Sequence, residues 1–404
     1  MKNCFQVVIL IFSLSLSLTL FCVIDTEARP EFAAREDKEC SFCHLDPAGG
    51  GPRNPVGKVY EENGYEFPED FDPEAVMEQM EELAKTFTPS VDIRTAYIKT
   101  TDVAPDVNAV ASCNNCHSSV DSFFLMQGEL TVNAQPSKKL KLTLSNNMGS
   151  TLNMFATVDA IPKHLYVKVG QFRLPFGIKQ KDHNILVHQG YNLGSNKRDV
   201  GVEVGGAYGK LFYNAAVFNG GNPTIFNGGG AIGADNNQNK GWTATVGGAA
   251  GPLRGGLSYL LNKPLDRREM VASAFLTAAH KNLSLEGEFD FGGDFGVGEG
   301  IGFSDEDITS KGYYFGAKYR ISPKFILSGR YELFDPDRRI RGDAGRRLTL
   351  TARYDIIDNG SLELYYWGNI ENKDRLDDAS IGDAQTLRQL QGVDQFILMS
   401  HFWF

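Results

Sequence analysis

Two short motifs in this chain carry residue types that can hold an iron cofactor covalently. Cys40-Ser41-Phe42-Cys43-His44 and Cys113-Asn114-Asn115-Cys116-His117 both read C-x-x-C-H. Two thiols three positions apart can add across the two vinyl groups of a haem, and the adjacent imidazole then falls beneath the iron as its proximal ligand. The sequence has six cysteines. Cys4 and Cys22 lie in an export signal, and the other four all belong to these motifs. The expected cofactors are therefore two c-type haems, bound by Cys40, Cys43, Cys113 and Cys116, with His44 and His117 on the irons. Paired zinc knuckles are usually separated by about 15–20 residues, whereas residues 44–112 separate these two cysteine pairs. A thioredoxin-like redox motif would need a βαβ context that is absent. A disulfide within each pair remains the alternative in an exported chain.

Export is read from the first 28 residues. Lys2 supplies a positive start and Val7 to Phe21 an apolar run too short for a membrane helix. Small residues at Thr26 and Ala28 suit cleavage after Ala28. The sixth ligands of the irons stay open. Met80, with Met77, lies on a helix expected to start at Asp72-Pro73, with Asp72 as N-cap and Pro73 at the first helical position. Both methionines also suit a small apolar core. His183, His188, His164 and His401 are candidates from the rest of the chain, each with ordinary structural uses as well.

The elements that must position these groups begin near residue 120. Leu348, Leu350, Ala352, Tyr354 and Ile356 alternate with Arg347, Thr349, Thr351, Arg353 and Asp355. Leu283, Leu285, Phe289 and Phe291 oppose Ser284, Glu286, Glu288 and Asp290. Period-two alternation means strands with one apolar and one polar face. Full charges of both signs on the polar faces suit a wet lumen. Short turns are expected at Gln135-Pro136-Ser137, Ile161-Pro162-Lys163, Tyr208-Gly209, Gly251-Pro252, Lys281, Ser322-Pro323 and Asn359-Gly360, with longer connections mostly between them. The last segment ends in an aromatic residue, with Phe396, Leu398, Phe402 and Phe404 on one face, resembling the assembly signal of bacterial outer-membrane barrels. The expected fold is an all-β transmembrane barrel of about 16 antiparallel strands with a small N-terminal c-type cytochrome region.

Fifteen strands are counted from residue 120. An even number requires one more, and Val91 to Thr100 is the available segment. Two placements are open for it. As the first barrel strand, it sends Cys113–His117 to the long-loop end. Otherwise residues 29–119 form one small dihaem region and residues 120–404 the barrel. His183 and His188 fall in the third long loop, which folds inward in many porins. His164 and His401 fall at the short-turn end.

The stretch His164 to Asn219 resembles the phosphate-selective porin O/P type of barrel. The residues that carry the likeness are Gly170-Gln171-Phe172-Arg173-Leu174-Pro175-Phe176-Gly177, Arg198-Asp199-Val200-Gly201-Val202 and Ala216-Val217-Phe218-Asn219-Gly220. That resemblance implies sixteen strands but not anion selectivity, since no lysine-rich ladder is visible. The layout of signal, C-x-x-C-H and porin resembles the fused cytochrome–porins of iron-oxidising bacteria, and departs from them in having two haem motifs. It implies electron transfer of an iron:cytochrome oxidoreductase type, at the outer membrane of a Gram-negative bacterium. The implied partners are extracellular Fe(II), periplasmic cytochromes or other carriers, and outer-membrane lipid. A solute-conducting porin with a haem plug or redox sensor is the competing expectation. A net charge of −10 makes nucleic acid an unsuitable partner.

Overall fold

The computed structural model describes residues 32–36, 38, 40–44, 53–63, 66–68, 70–73, 75–76, 88–100, 121–137, 139–147, 150–162, 164–179, 182, 185–191, 193, 198–220, 238–263, 269–293, 309–339, 344–357, 359–370 and 394–403. Sixteen strands close into one barrel, each antiparallel to its sequence neighbours, and β1 (Thr88–Thr100) closes the ring against β16 (Gln395–Trp403). Residues 91–100 are thus part of the barrel wall, and their register against β16 runs from Asp92↔Trp403 to Thr100↔Gln395.

Side-chain alternation decides which way each strand faces. Leu348, Leu350 and Tyr354 on β14 (Gly345–Ile357), Leu362 and Leu364 on β15 (Gly360–Ile370), and Phe396 and Leu398 on β16 are all exposed on the outer surface. Their inward neighbours Arg347, Thr349, Glu363, Gln395 and His401 are buried. A closed barrel leaves no strand edge unpaired, so a continuous outer belt of this kind is matched to hydrocarbon. No helix among the described residues is long and apolar enough to cross a membrane.

Short turns join β2 (Asp121–Ser137) to β3 (Leu140–Asn147), β4 (Ser150–Ile161) to β5 (Leu165–Phe172), β6 (Asp199–Tyr208) to β7 (Leu211–Phe218), β8 (Gly241–Ala250) to β9 (Leu253–Asn262), β10 (Glu269–His280) to β11 (Leu283–Gly293), β12 (Thr309–Ser322) to β13 (Phe325–Asp335), and β14 to β15. The first turn lies later than expected from Gln135-Pro136-Ser137, because β2 continues through Ser137. Pro136 cannot donate to the ladder, and the register slips there, between Ala134 and Ser137. At the other end one connection is short: only residues 148–149 separate β3 from β4.

Four described helical segments accompany the barrel: α1 (Phe32–Glu36), α2 (Cys40–Cys43), α3 (Pro55–Glu62) and α4 (Leu186–Gly190). The helix expected at Asp72-Pro73 begins as read. The Ala75 N–H donates to Asp72 Oδ1 at 3.2 Å, and the Val76 N–H donates to the Asp72 carbonyl at 3.2 Å. The connection after β5 turns inward, and α4 packs on the inner wall of β12, β13 and β14. Ile178, Ile185, Leu186, Val187 and Tyr191 of that connection are buried with Tyr314 and Phe334 of the wall. This apolar contact holds the connection inside the lumen.

Candidate functional site

The first C-x-x-C-H motif is built on one helical turn. Cys40 and Cys43 are the two ends of α2. His44 follows at 3% exposure and forms an antiparallel bridge with Arg53. Asn54 then fastens the next helix to the motif. Its backbone N–H donates to the Cys43 carbonyl at 2.9 Å, its side-chain amide donates to the Phe42 carbonyl at 2.9 Å, and its Oδ1 caps α3 by accepting from the Gly57 N–H at 2.9 Å. A Cβ on Gly57 would lie 2.1 Å from the Cys43 carbonyl oxygen, so only glycine lets α3 come this close.

An aromatic cluster covers the segment. Tyr60 lies 5.7 Å from Phe32 and 4.5 Å from Phe67, and Phe67 stacks on Phe71 at 4.5 Å and meets Phe42 at 5.8 Å. The Tyr60 hydroxyl donates to Glu36 Oε1 at 2.7 Å and accepts from Arg35. Burial raises its pKa above the ordinary value, Arg35 opposes that shift and Glu36 adds to it. Two cysteines on one turn, a buried histidine after them and an aromatic enclosure fit the attachment of a c-type haem.

This segment sits at the short-turn end of the barrel. Phe32 and Arg35 share a pocket with Lys281 and Asn282 in the β10–β11 turn and with Arg320 near the end of β12. Deeper in, Phe32, Arg53 and Glu61 form the floor of a cavity of about 310 Å³. Ile178, Lys179 and Asp182 of the inward connection close it from the other side, and residues of β1, β2 and β11 to β16 complete the wall. Arg53 pairs with Glu61, and Arg330 of the wall pairs with both Asp182 and Glu332.

The candidate histidines separate in space. His401, on the inner face of β16, lines the cavity. Its Nε2 lies 3.2 Å from Asp92 and its Nδ1 3.7 Å from Glu363, and its ring packs 4.6 Å from that of Trp403. Asp92 also accepts two bonds from Arg94, both 3.0 Å. His188 lies on α4 at 3% exposure, with Nε2 3.2 Å from Glu288 Oε1. His164 is exposed in the β4–β5 turn, where Nδ1 lies 2.9 Å from the Ala207 carbonyl. It is not among the residues that line the cavity. Cys113, Cys116, His117, His183, Met77 and Met80 lie outside the described residues.

Two buried groups escape a reading by motif. Glu288 on β11 accepts from the Ile178 N–H at 2.7 Å and from the Tyr314 hydroxyl at 3.1 Å, besides meeting His188. Lys168 and Glu203 form a pair at 3.3 Å with both side chains fully buried, and the Tyr166 hydroxyl donates to the same carboxylate. A lone charge in an alternating strand reads as a solvated lumen residue, so neither cluster is visible in the alternation alone.

No protein-family profile matches the sequence, and no curated protein sequence is similar to it. Solved structures do match the fold. Salmonella typhi OmpF aligns with a TM-score of 0.56 at 10% identity, over 80% of this chain and 98% of its own. OprB of Pseudomonas putida aligns at 0.55 and 11% identity, over 81% and 96%. An anion-selective porin of Comamonas acidovorans aligns at 0.51 and 14% identity, over 79% and 99%. The chain therefore has the sixteen-stranded fold of outer-membrane porins.

Proposed function

We propose that the chain is an outer-membrane electron conduit carrying two covalent c-type haems, one on Cys40, Cys43 and His44 and one on Cys113, Cys116 and His117. It would pass electrons between an extracellular donor or acceptor, with Fe(II) favoured, and periplasmic carriers such as cytochromes. The observation that carries this reading is the position of the first motif's segment, which floors a cavity inside the short-turn mouth. In barrels of this class that mouth faces the periplasm. By chain order the second motif falls between β1 and β2. Bound haem supplies a one-electron Fe(III)/Fe(II) couple.

The chain's own residues would fix the conditions for that couple. Cys40 and Cys43 would bind the haem, and the buried His44 would hold its iron. Asn54 and Gly57 hold α3 against the motif. Phe42, Tyr60 and Phe67 exclude water, which is one lever on potential. Oxidation of Fe(II) to Fe(III) outside would release one electron per ion for a periplasmic acceptor, with no bond made or broken.

A second reading, solute passage through a porin with a haem plug or redox sensor, is favoured by the fold shared with porins. One experiment separates them. Proteoliposomes of the full-length protein are loaded with an electron acceptor, and Fe(II) is added outside in a stopped-flow spectrometer. Haem reduction followed by reduction of the trapped acceptor, lost in Cys43→Ala or Cys116→Ala, supports the conduit. No haem reduction together with free leakage of small solutes sinks it and supports the channel.

A further inference from the structure

We propose that the hollow between α1 and the β10–β11 turn binds a small oxyanion of the phosphate class, held by Arg35, Lys281, Lys318 and Arg320. The inference is independent of the haem reading above. These four cationic side chains, with Asn282 and Ser284, line a cavity of about 50 Å³. The rest of its lining is apolar, and no carboxylate belongs to it. A concave surface of one sign focuses its field on a counter-ion. Carboxylates do adjoin these cations. Glu36 pairs with Arg35 at 3.2 Å and accepts from the Tyr60 hydroxyl. Glu286 and Glu61 line the deeper lumen cavity, which Lys318 also lines, and Glu61 is matched by Arg53. With Glu36 and Glu286 both set against the four cations, the hollow still keeps an excess of positive charge.

The turn singles out its lysine. Lys281 has a φ of +50° and is the one non-glycine residue in the left-handed region among the described residues. Two neighbouring two-residue turns place glycine at the same position, Gly209 at +58° and Gly251 at +57°. A left-handed backbone strains any residue with a Cβ and is open to glycine. The β10–β11 turn thus keeps an ammonium group where its sister turns relieve the backbone. Lys281 is exposed, and its ammonium has no hydrogen-bond or ion-pair partner among the described residues. The Arg320 N–H donates to the Asn282 carbonyl at 2.9 Å, which ties the end of β12 to this turn.

The arrangement selects the class of anion. Arg35 reaches the hollow from α1, Lys281 from the turn, and Lys318 and Arg320 from β12. A carboxylate offers its acceptors along one edge, whereas a phosphate offers them in several directions, and guanidinium and ammonium groups both serve it. A water molecule occupies about 30 Å³ of liquid, so the cavity admits an ion of a few atoms and excludes a nucleoside. Free phosphate and a phospholipid headgroup share this chemistry, and Leu283, Tyr319 and Ile321 beside the hollow belong to the exposed outer belt. Either one would bridge α1 to the barrel rim and fasten the N-terminal segment there.

The test titrates full-length protein, in a maltoside detergent and phosphate-free buffer, with inorganic phosphate or with short-chain phosphatidylglycerol. Sodium chloride at matched ionic strength is the control. Binding is read as ³¹P line broadening and as protection of residues 32–76 from protease; circular dichroism checks the barrel. The expected result is saturable broadening with slower proteolysis, weakened at least tenfold in Lys281→Gly and in Arg320→Gln. Lys281→Gly suits the left-handed turn, so without anion it should unfold no earlier than wild type. Lys324→Ala, an exposed lysine of the β12–β13 turn outside the hollow, should bind as wild type does. Saturation by inorganic phosphate assigns the site to the free ion, and saturation by phosphatidylglycerol alone assigns it to a headgroup; either supports the site when Lys281→Gly abolishes it. No saturation by either ligand, protection by chloride alone, undiminished binding in Lys281→Gly and Arg320→Gln, or an equal loss in Lys324→Ala overturns it.

Discussion

The backbone N–H of Ile178, in the connection after β5, donates to the Glu288 carboxylate of β11 at 2.7 Å, across 110 residues of sequence. The same carboxylate meets His188 and Tyr314. Gly177 makes the approach feasible: its φ is +52°, and a Cβ there would lie 2.1 Å from Glu288 Oε1. One acidic side chain therefore pins the connection that roofs the lumen cavity.

Glu288→Ala should release that connection without opening the barrel. Each buried donor left without an acceptor costs about 1–3 kcal/mol, and the Ile178 amide and Tyr314 hydroxyl would both lose theirs. Limited proteolysis of reconstituted protein should then cut within 173–198, while circular dichroism keeps its strand signal. Protection equal to wild type would show that the apolar packing of α4 alone holds the connection.

Much of this architecture was legible because one physical rule, period-two alternation between lipid and lumen, writes itself into every strand. Leu348, Leu350, Tyr354 and Ile356 face outward as read, and of the two placements open for residues 91–100 the barrel wall is the one found. The rule fails where the backbone departs from it. Pro136 marks a slip in register inside β2, not the turn it was read as. In β2 a bulge at Met126 changes which parity faces inward, and the unbroken apolar run Phe123-Phe124-Leu125-Met126 hides that change from the alternation. Among the candidate histidines, only the partners distinguish His401 at the cavity from His164 in an exposed turn, and partners come from strands remote in sequence.

Asn54 and Gly57 should control the stability of the haem-motif segment separately from the barrel. Asn54→Ala removes a helix cap and the bond to the Phe42 carbonyl, for a loss of about 1–2 kcal/mol. Gly57→Ala forces α3 away from the Cys43 carbonyl, with an overpacking cost of roughly 1–3 kcal/mol. Both should lower the yield of covalent haem and speed proteolysis of residues 32–76. Unchanged haem yield in both variants would mean that α3 does not shape the motif.

The Lys168–Glu203 pair should show the asymmetry of buried ion pairs. Lys168→Met alone leaves a buried carboxylate without its cation and should cost about 3–5 kcal/mol, whereas Lys168→Met with Glu203→Leu should be close to neutral. Urea unfolding in detergent of the two single variants and the double completes the cycle. A loss in the double variant equal to the sum of the two single losses would show that the pair is solvated and weakly coupled.

Alkaline pH should loosen the N-terminal segment through Tyr60. Burial raises the pKa of this phenol above its ordinary value of 10.0, with Arg35 opposing the shift. The folded state then holds its proton more tightly than the unfolded one. Stability from this group is fully present below the unfolded value and falls as pH rises beyond about 10. Tyr60→Phe removes the titration and also the hydrogen bond to Glu36, so the variant should start lower by roughly 1 kcal/mol and then stay flat through the alkaline range. Protease sensitivity of residues 32–76, followed from neutral pH to above 10 in wild type and variant, checks both parts. A wild-type profile as flat as that of Tyr60→Phe would show that the phenol ionises freely and that the aromatic cluster does not shield it.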